Sequence, residues 1–125
     1  MAYVDLVCVL ALLQLVYFAS LVGKARGRYG VKAPAMSGNE LFERQYRVQM
    51  NTIELIVLLI PAMYIAARYW SAPLVAATAA VYLVGRFVYA RSYVADPATR
   101  SVGFGLSMLP ILALLLADLA GIVFR

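Results

Sequence analysis

The sequence predicts an all-α integral membrane protein, an up-down bundle of four helices, and three observations lead there. The chain of 125 residues is 65% hydrophobic and 14% charged, against roughly 45–50% and about 25% in soluble globular domains. Long apolar runs recur four times, separated by polar segments. The basic residues gather in the first and third connections, as expected when those connections stay on the cytoplasmic side.

The whole chain, 1–125, reads as one domain with spans at about 4–26, 40–70, 73–95 and 100–124. The first apolar run, Leu6 to Gly23, covers about the thickness of a hydrocarbon core at 1.5 Å per residue. It is longer than a signal-peptide core and is preceded by Asp5 rather than by positive charge. The segment from Lys24 to Asn39 carries Gly27, Gly30, Pro34 and Gly38 and reads as a loop, with the helix overrunning into Arg26.

The second span is less obvious. Its purely apolar part, Leu55 to Ala67, has 13 residues and is too short to cross alone. The helix is therefore expected to begin near Glu40 and to carry polar residues toward the bilayer, with a kink at Pro61. Tyr69 and Trp70 fit an interfacial aromatic belt. The short Ser71-Ala72-Pro73 turn makes spans two and three antiparallel neighbours. Span three ends at Asp96-Pro97, and Pro110 is expected to kink span four. Asp118, near the outer end of that span, is expected to snorkel or to bond between helices.

Net charge is +5. Lys24, Arg26, Arg28, Lys32, Arg44 and Arg47 surround the first connection, and Arg86, Arg91 and Arg100 the third. Both connections are expected to face the cytoplasm and both termini the opposite side. Lys24, Arg28 and Lys32 form a basic surface suited to anionic membrane lipid. Nucleic acid is not an expected partner, because the basic residues flank spans and cover no soluble face. The single cysteine, Cys8, lies in an apolar run and reads as inert packing, and there is no histidine. An intrachain disulfide and a Cys/His metal site are excluded, and no metal is expected.

Polar residues entering a span are costly and usually mark a site. At 100° per residue Glu40, Arg44, Arg47, Asn51 and Glu54 fall within an arc of about 80°, and Gln49 points nearly the opposite way. Gln49 must therefore face another helix or another subunit. In span three Tyr82, Arg86, Tyr89 and Tyr93 share a face, and Arg100 follows the Asp96-Pro97 break. Both stripes lie at the same end and can converge. A structural role in interhelical salt bridges, such as Glu54 with Arg86, is the alternative, since buried charges need partners.

Arginine forks bind carboxylates, Glu54 can accept from an amine, and Asn51 and Gln49 can bond peptide groups. Tyr89 and Tyr93 supply hydroxyls and walls. That set suits a zwitterionic peptide with several carboxylates. A nearby arginine would lower the pKa of a thiol and raise its reactive fraction without a histidine base.

At this point the chain resembles the membrane-associated proteins in eicosanoid and glutathione metabolism, the MAPEG family. The similarity is greatest to the branch of leukotriene C synthase and microsomal glutathione transferase type two. The matching residues are Phe42-Glu43-Arg44-x-Tyr46-Arg47-x-Gln49-x-Asn51-x-x-Glu54 and Arg86-x-x-Tyr89-x-x-x-Tyr93, followed by Arg100. The resemblance implies a homotrimer with glutathione as co-substrate, bound between subunits near the cytoplasmic face. Arg47, Asn51, Glu54, Tyr89 and Tyr93 would hold it from one subunit, and Arg26 and Gln49 from the next. Arg100 would be the catalytic residue that stabilises the thiolate, with Arg86 beneath the site and Arg44 in support.

Two positions depart from the leukotriene synthase pattern: Leu55 replaces a tyrosine, which would remove one hydrogen bond to the ligand, and Gly27 replaces a second arginine linked to the second substrate, which weakens the case for a leukotriene-type substrate. The compact chain suggests a prokaryotic member. The implied activity is conjugation of glutathione to lipophilic electrophiles, with a peroxidase activity beside it. Two alternatives are a non-enzymatic lipid-binding or scaffold protein of the same family and a small four-span multidrug exporter. The exporter would need an acidic residue within span one, where only Gln14 and Ser20 are polar.

Overall fold

A computed structural model describes residues 1–125. It contains four long helices and no strand: α1 (Ala2–Tyr29), α2 (Glu40–Tyr69), α3 (Ala72–Ala95) and α4 (Ser101–Phe124), with one 3₁₀ turn at Pro97–Thr99 before α4. All four regions are long and apolar enough to cross a membrane. Leu116, Val102 and Phe124 are 67%, 68% and 83% exposed on the outside of the bundle. Water would penalise such a surface, whereas lipid would not. The protein is a multi-pass integral membrane protein.

The ends of the helices follow from local chemistry. α1 runs three residues past the expected end at Arg26, so the first loop is shorter than the sequence reading made it. Nothing between Lys24 and Arg28 stops a helix, and Arg26 and Arg28 suit its negative C-terminal pole. Gly30 stops it by taking the left-handed conformation, φ 69°. The Val31 N–H then reaches the Arg26 carbonyl at 3.1 Å, and Val31 buries itself with Val22, Ala25 and Phe42. α2 begins at Glu40, as expected, with the Asn39 side chain accepting from the Phe42 N–H at 3.0 Å. It runs unbroken through Pro61, and α4 through Pro110.

Hydrogen bonds from three side chains establish the up-down arrangement. Tyr64, near the end of α2, donates to Asp5 at the start of α1 at 2.7 Å. Arg44, near the start of α2, donates to the Val94 and Ala95 carbonyls at the end of α3. The Trp70 indole donates to the Ala117 carbonyl of α4 at 2.8 Å. α1 packs on α2 and α3, and α4 packs on the same two helices. α1 and α4 thus occupy opposite corners of the bundle.

The main core joins Val4 and Ala11 of α1, Leu59 and Met63 of α2, Ala79 and Tyr82 of α3, and Ile111 and Leu114 of α4. α2, with 30 residues, is about 45 Å long, more than a bilayer core of about 30 Å. Its first turns can therefore stand beyond the hydrocarbon while the rest crosses. Asp118 does not behave as expected. It is 5% exposed, so it does not snorkel, and neither carboxylate oxygen has a hydrogen-bond partner within the protomer. The cause is its register, one turn after Leu114 on the face that α4 turns inward.

Candidate functional site

α3 and α4 approach closely because Gly85 and Gly103 lie between them. A Cβ on Gly103 would collide with the Tyr89 backbone nitrogen, and one on Gly85 would stand 2.6 Å from the Leu106 carbonyl carbon. This contact brings the start of α4 against Tyr89. There Arg47, Asn51, Tyr89, Arg100 and Phe104 line a cleft of about 320 Å³. Three helices and the residue before α4 thus meet at one place, each contributing a residue from a polar stripe or its neighbour.

Beneath the cleft lies Arg86, with no exposed surface. Its Nη1 donates to the Asn51 Oδ1 at 2.8 Å and to the Thr52 Oγ1 at 3.1 Å, and its Nε donates to the Ser107 Oγ at 2.9 Å. Thr52 and Ser107 donate in turn to the Val48 and Gly103 carbonyls one turn back. Both hydroxyl oxygens therefore keep lone pairs for the guanidinium. The guanidinium carbon also stands 4.3 Å from the Tyr89 ring centroid, a cation–π contact in a water-poor setting. A guanidinium can only donate, so the Asn51 amide must turn its oxygen to Arg86. Its NH₂ group is thereby left for the cleft.

The Glu54–Arg86 salt bridge entertained from the sequence does not form. Glu54 pairs with Arg47 at 3.2 Å, both about half exposed, and Arg86 has polar neutral partners instead. Two turns separate Arg47 from Glu54 on one face of α2, and their flexible side chains span that interval. Arg86 sits deeper, at the level of Asn51 and Thr52. Arg44 lies outside the cleft, bound to Glu40 at 2.6 Å and to the end of α3. Tyr93 stacks on Tyr89, ring centroids 5.5 Å apart.

Glu54 and Tyr93 do not line the cleft but touch its lining residues Arg47 and Tyr89, and Arg26 and Gln49 are not brought to it. Arg26 lies over the Phe42 ring and donates to the Ala35 carbonyl at 2.7 Å. Gln49 is half-buried on the other side of α2. Phe104, Thr52 and Ser107 were not singled out from the sequence. The signal for Thr52 and Ser107 was present, since a hydroxyl within a span needs a polar reason. Phe104 gave none among so many apolar neighbours. No group of three or more His, Cys, Asp or Glu side chains comes together.

The fold and cleft define a class: four-span membrane proteins whose helix ends enclose a cationic, tyrosine-walled cleft. The sequence profile of the MAPEG family matches residues 4–120, and the chain belongs to that family. An uncharacterised protein of Synechocystis is 40% identical over 104 residues, 83% of this chain and 76% of that protein. Human microsomal glutathione S-transferase 2 is 39% identical over 109 residues, 87% of this chain and 74% of that enzyme. Guinea-pig (Cavia porcellus) leukotriene C4 synthase is 33% identical over 87 residues, 70% of this chain and 58% of that enzyme.

Proposed function

We propose that this chain is a membrane-bound glutathione transferase that conjugates glutathione to lipophilic electrophiles, and that it works as a homotrimer. The observation that carries the proposal is the convergence of Arg47, Asn51, Tyr89 and Arg100 on one cleft. The kinship with microsomal glutathione S-transferase 2 supports the choice of peptide.

Each residue has a role that its chemistry permits. Arg47 binds a glutathione carboxylate through its guanidinium fork. Asn51, with its oxygen held by Arg86, offers its NH₂ to a peptide carbonyl. Glu54 accepts from the ligand ammonium, releasing Arg47 from the 3.2 Å pair. Tyr89 and Tyr93 form a stacked wall. Arg26 and Gln49, which stand away from the cleft, would complete it from a neighbouring copy.

Arg100 stabilises the thiolate. The thiol loses its proton to water, and the guanidinium lowers the cost of the resulting negative charge. The sulfur lone pair then attacks an electrophilic carbon. A C–S bond forms, and the displaced group departs with its electron pair or a conjugated double bond takes up a proton. With a hydroperoxide as acceptor, two glutathione molecules would yield the disulfide, an alcohol and water. The cytoplasmic side is the proposed location of the cleft, since the basic connections lie at that end.

The test is thiolate formation when glutathione is mixed with detergent-solubilised protein, read as ultraviolet absorbance. The signal should appear with the unaltered chain and vanish with Arg100→Ala. Absence of any glutathione binding would sink the enzyme reading, and an unchanged signal in the variant would remove Arg100 from the mechanism.

A further inference from the structure

A second groove runs along the opposite side of the bundle, between α1 and α3. Its middle section, about 510 Å³, is walled by Tyr17, Phe18, Phe87 and Ala90, with Gln45 and Arg91 at its edge. Through Tyr17 and Phe87 it continues into an apolar section of about 350 Å³ that reaches Leu10 and Leu13. Through Leu21, Gln45 and Val94 it opens the other way into a section of about 230 Å³ beside Lys24, Arg28 and Tyr29. One end is hydrocarbon and the other is cationic.

The groove is distinct from the site. On α3, Leu83, Phe87, Ala90 and Val94 occupy an arc beside that of Tyr82, Arg86, Tyr89 and Tyr93. On α1, Leu10, Tyr17, Leu21, Lys24 and Arg28 fall on one stripe, and Arg26 points about 160° away from Arg28. The arginines two residues apart therefore serve opposite sides. Lys24, Arg28 and Arg91 are exposed and none is paired with a carboxylate.

We propose that the α1–α3 groove is a binding site for an anionic glycerophospholipid of the surrounding membrane. One acyl chain would lie along Tyr17 and Phe87 toward Leu10, and the phosphate would sit among Lys24, Arg28 and Arg91. The dimensions suit one leaflet. From Lys24 to Leu10 along α1 is about 21 Å, more than half of a hydrocarbon core of about 30 Å. Charge selects the occupant. Lys24, Arg28 and Arg91 have no carboxylate partner within the protomer, and an anionic headgroup would neutralise them. Gln45, at the junction of the two upper sections, can donate its amide to a headgroup or ester oxygen.

The experiment uses the full chain in lipid nanodiscs, with Phe87→Trp as a reporter and the unaltered chain subtracted for Trp70. Quenching is compared for phosphatidylglycerol and phosphatidylcholine carrying brominated acyl chains. Phosphatidylglycerol should bind about tenfold more tightly, as expected for several cations near the surface. Lys24→Ala/Arg28→Ala/Arg91→Ala should abolish the preference, and Lys32→Ala, which removes a charge outside the groove, should leave it. Equal quenching by both lipids would overturn the proposal, as would a loss per charge in Lys32→Ala equal to that in the triple variant. Native mass spectrometry of the unaltered protein provides a check free of the reporter. Phosphatidylglycerol should be retained through detergent exchange where phosphatidylcholine is lost, and equal retention would count against the site.

Discussion

The two ends of the bundle handle polar groups in opposite ways. At the cleft end Arg86 is fully buried and bound to Asn51, Thr52 and Ser107, while Arg100 stands exposed above it. At the other end Tyr64 is closed on Asp5, the Trp70 indole on Ala117, and Arg125 stands 5.0 Å from the Trp70 ring. Asp118 alone is buried there without a partner. One end holds its buried charge on neutral partners through Nε and Nη1, and leaves the Arg100 charge exposed. The other closes off nearly every polar group. On the proposed function the difference separates a binding end from an anchoring end, and it can be tested one residue at a time.

The largest effect should come from Arg86→Ala. The change empties a well-packed site and leaves the Asn51 oxygen without a donor, so stability should fall by about 3–5 kcal/mol. Thermal unfolding in detergent measures the fall. Glutathione affinity should drop with it, because Asn51 no longer has a fixed orientation. An unaltered affinity in protein that remains folded would show that Arg86 supports the bundle and not the site.

Next is Arg100→Ala. Loss of one stabilising group for a developing anion typically lowers kcat by about 10²–10³. Unfolding should hardly change, since Arg100 is exposed and makes no side-chain hydrogen bond within the protomer. Steady-state rates with a lipophilic electrophile, set beside glutathione titrations, separate the loss of turnover from any loss of binding. Equal losses in stability for the Arg86 and Arg100 variants would erase the contrast between support and free charge.

Asp118 should respond with the opposite sign. Asp118→Val removes a buried polar group that lacks a partner, so stability should rise by about 1–3 kcal/mol. Chemical unfolding in mixed micelles measures it. Destabilisation instead would reveal a partner for Asp118 on a neighbouring copy.

The sequence carried the polar logic of the binding end far better than that of the anchoring end. Thirteen apolar residues from Leu55 to Ala67 could not cross alone, which forced α2 back to Glu40, where it starts. The arcs of Asn51 and Tyr89 followed from helical spacing, as did the divergence of Gln49. The family resemblance implied a place for Arg86 beneath the proposed site, but its partners Thr52 and Ser107 were not legible. Spacing along one helix says which residues share a face, not how deep a facing helix sits. That depth is set by the α3–α4 contact at Gly85 and Gly103. The end of α1 was misjudged for a related reason. Gly27 and Gly30 look alike in sequence, yet only Gly30 takes the left-handed conformation. The inward register of Asp118 was equally hidden, because every face of α4 is apolar enough to turn either way.

The smallest effect is the most discriminating. Tyr64→Phe removes the 2.7 Å bond to Asp5 at the anchoring end. The bond is solvent-accessible, so its loss should change stability by under about 0.5 kcal/mol. If the two ends are independent, the thiolate signal at the cleft should be unaltered. The double variant with Arg100→Ala should then show the sum of the single effects within about 0.5 kcal/mol, as distant sites without shared partners do. A larger deviation would mean that α2, the one helix holding both Arg47 and Tyr64, transmits strain along its length. The fold argues against that. Between the two ends α2 is held by Leu59 and Met63, both with no exposed surface, and such packing absorbs a lost hydroxyl before it reaches Asn51.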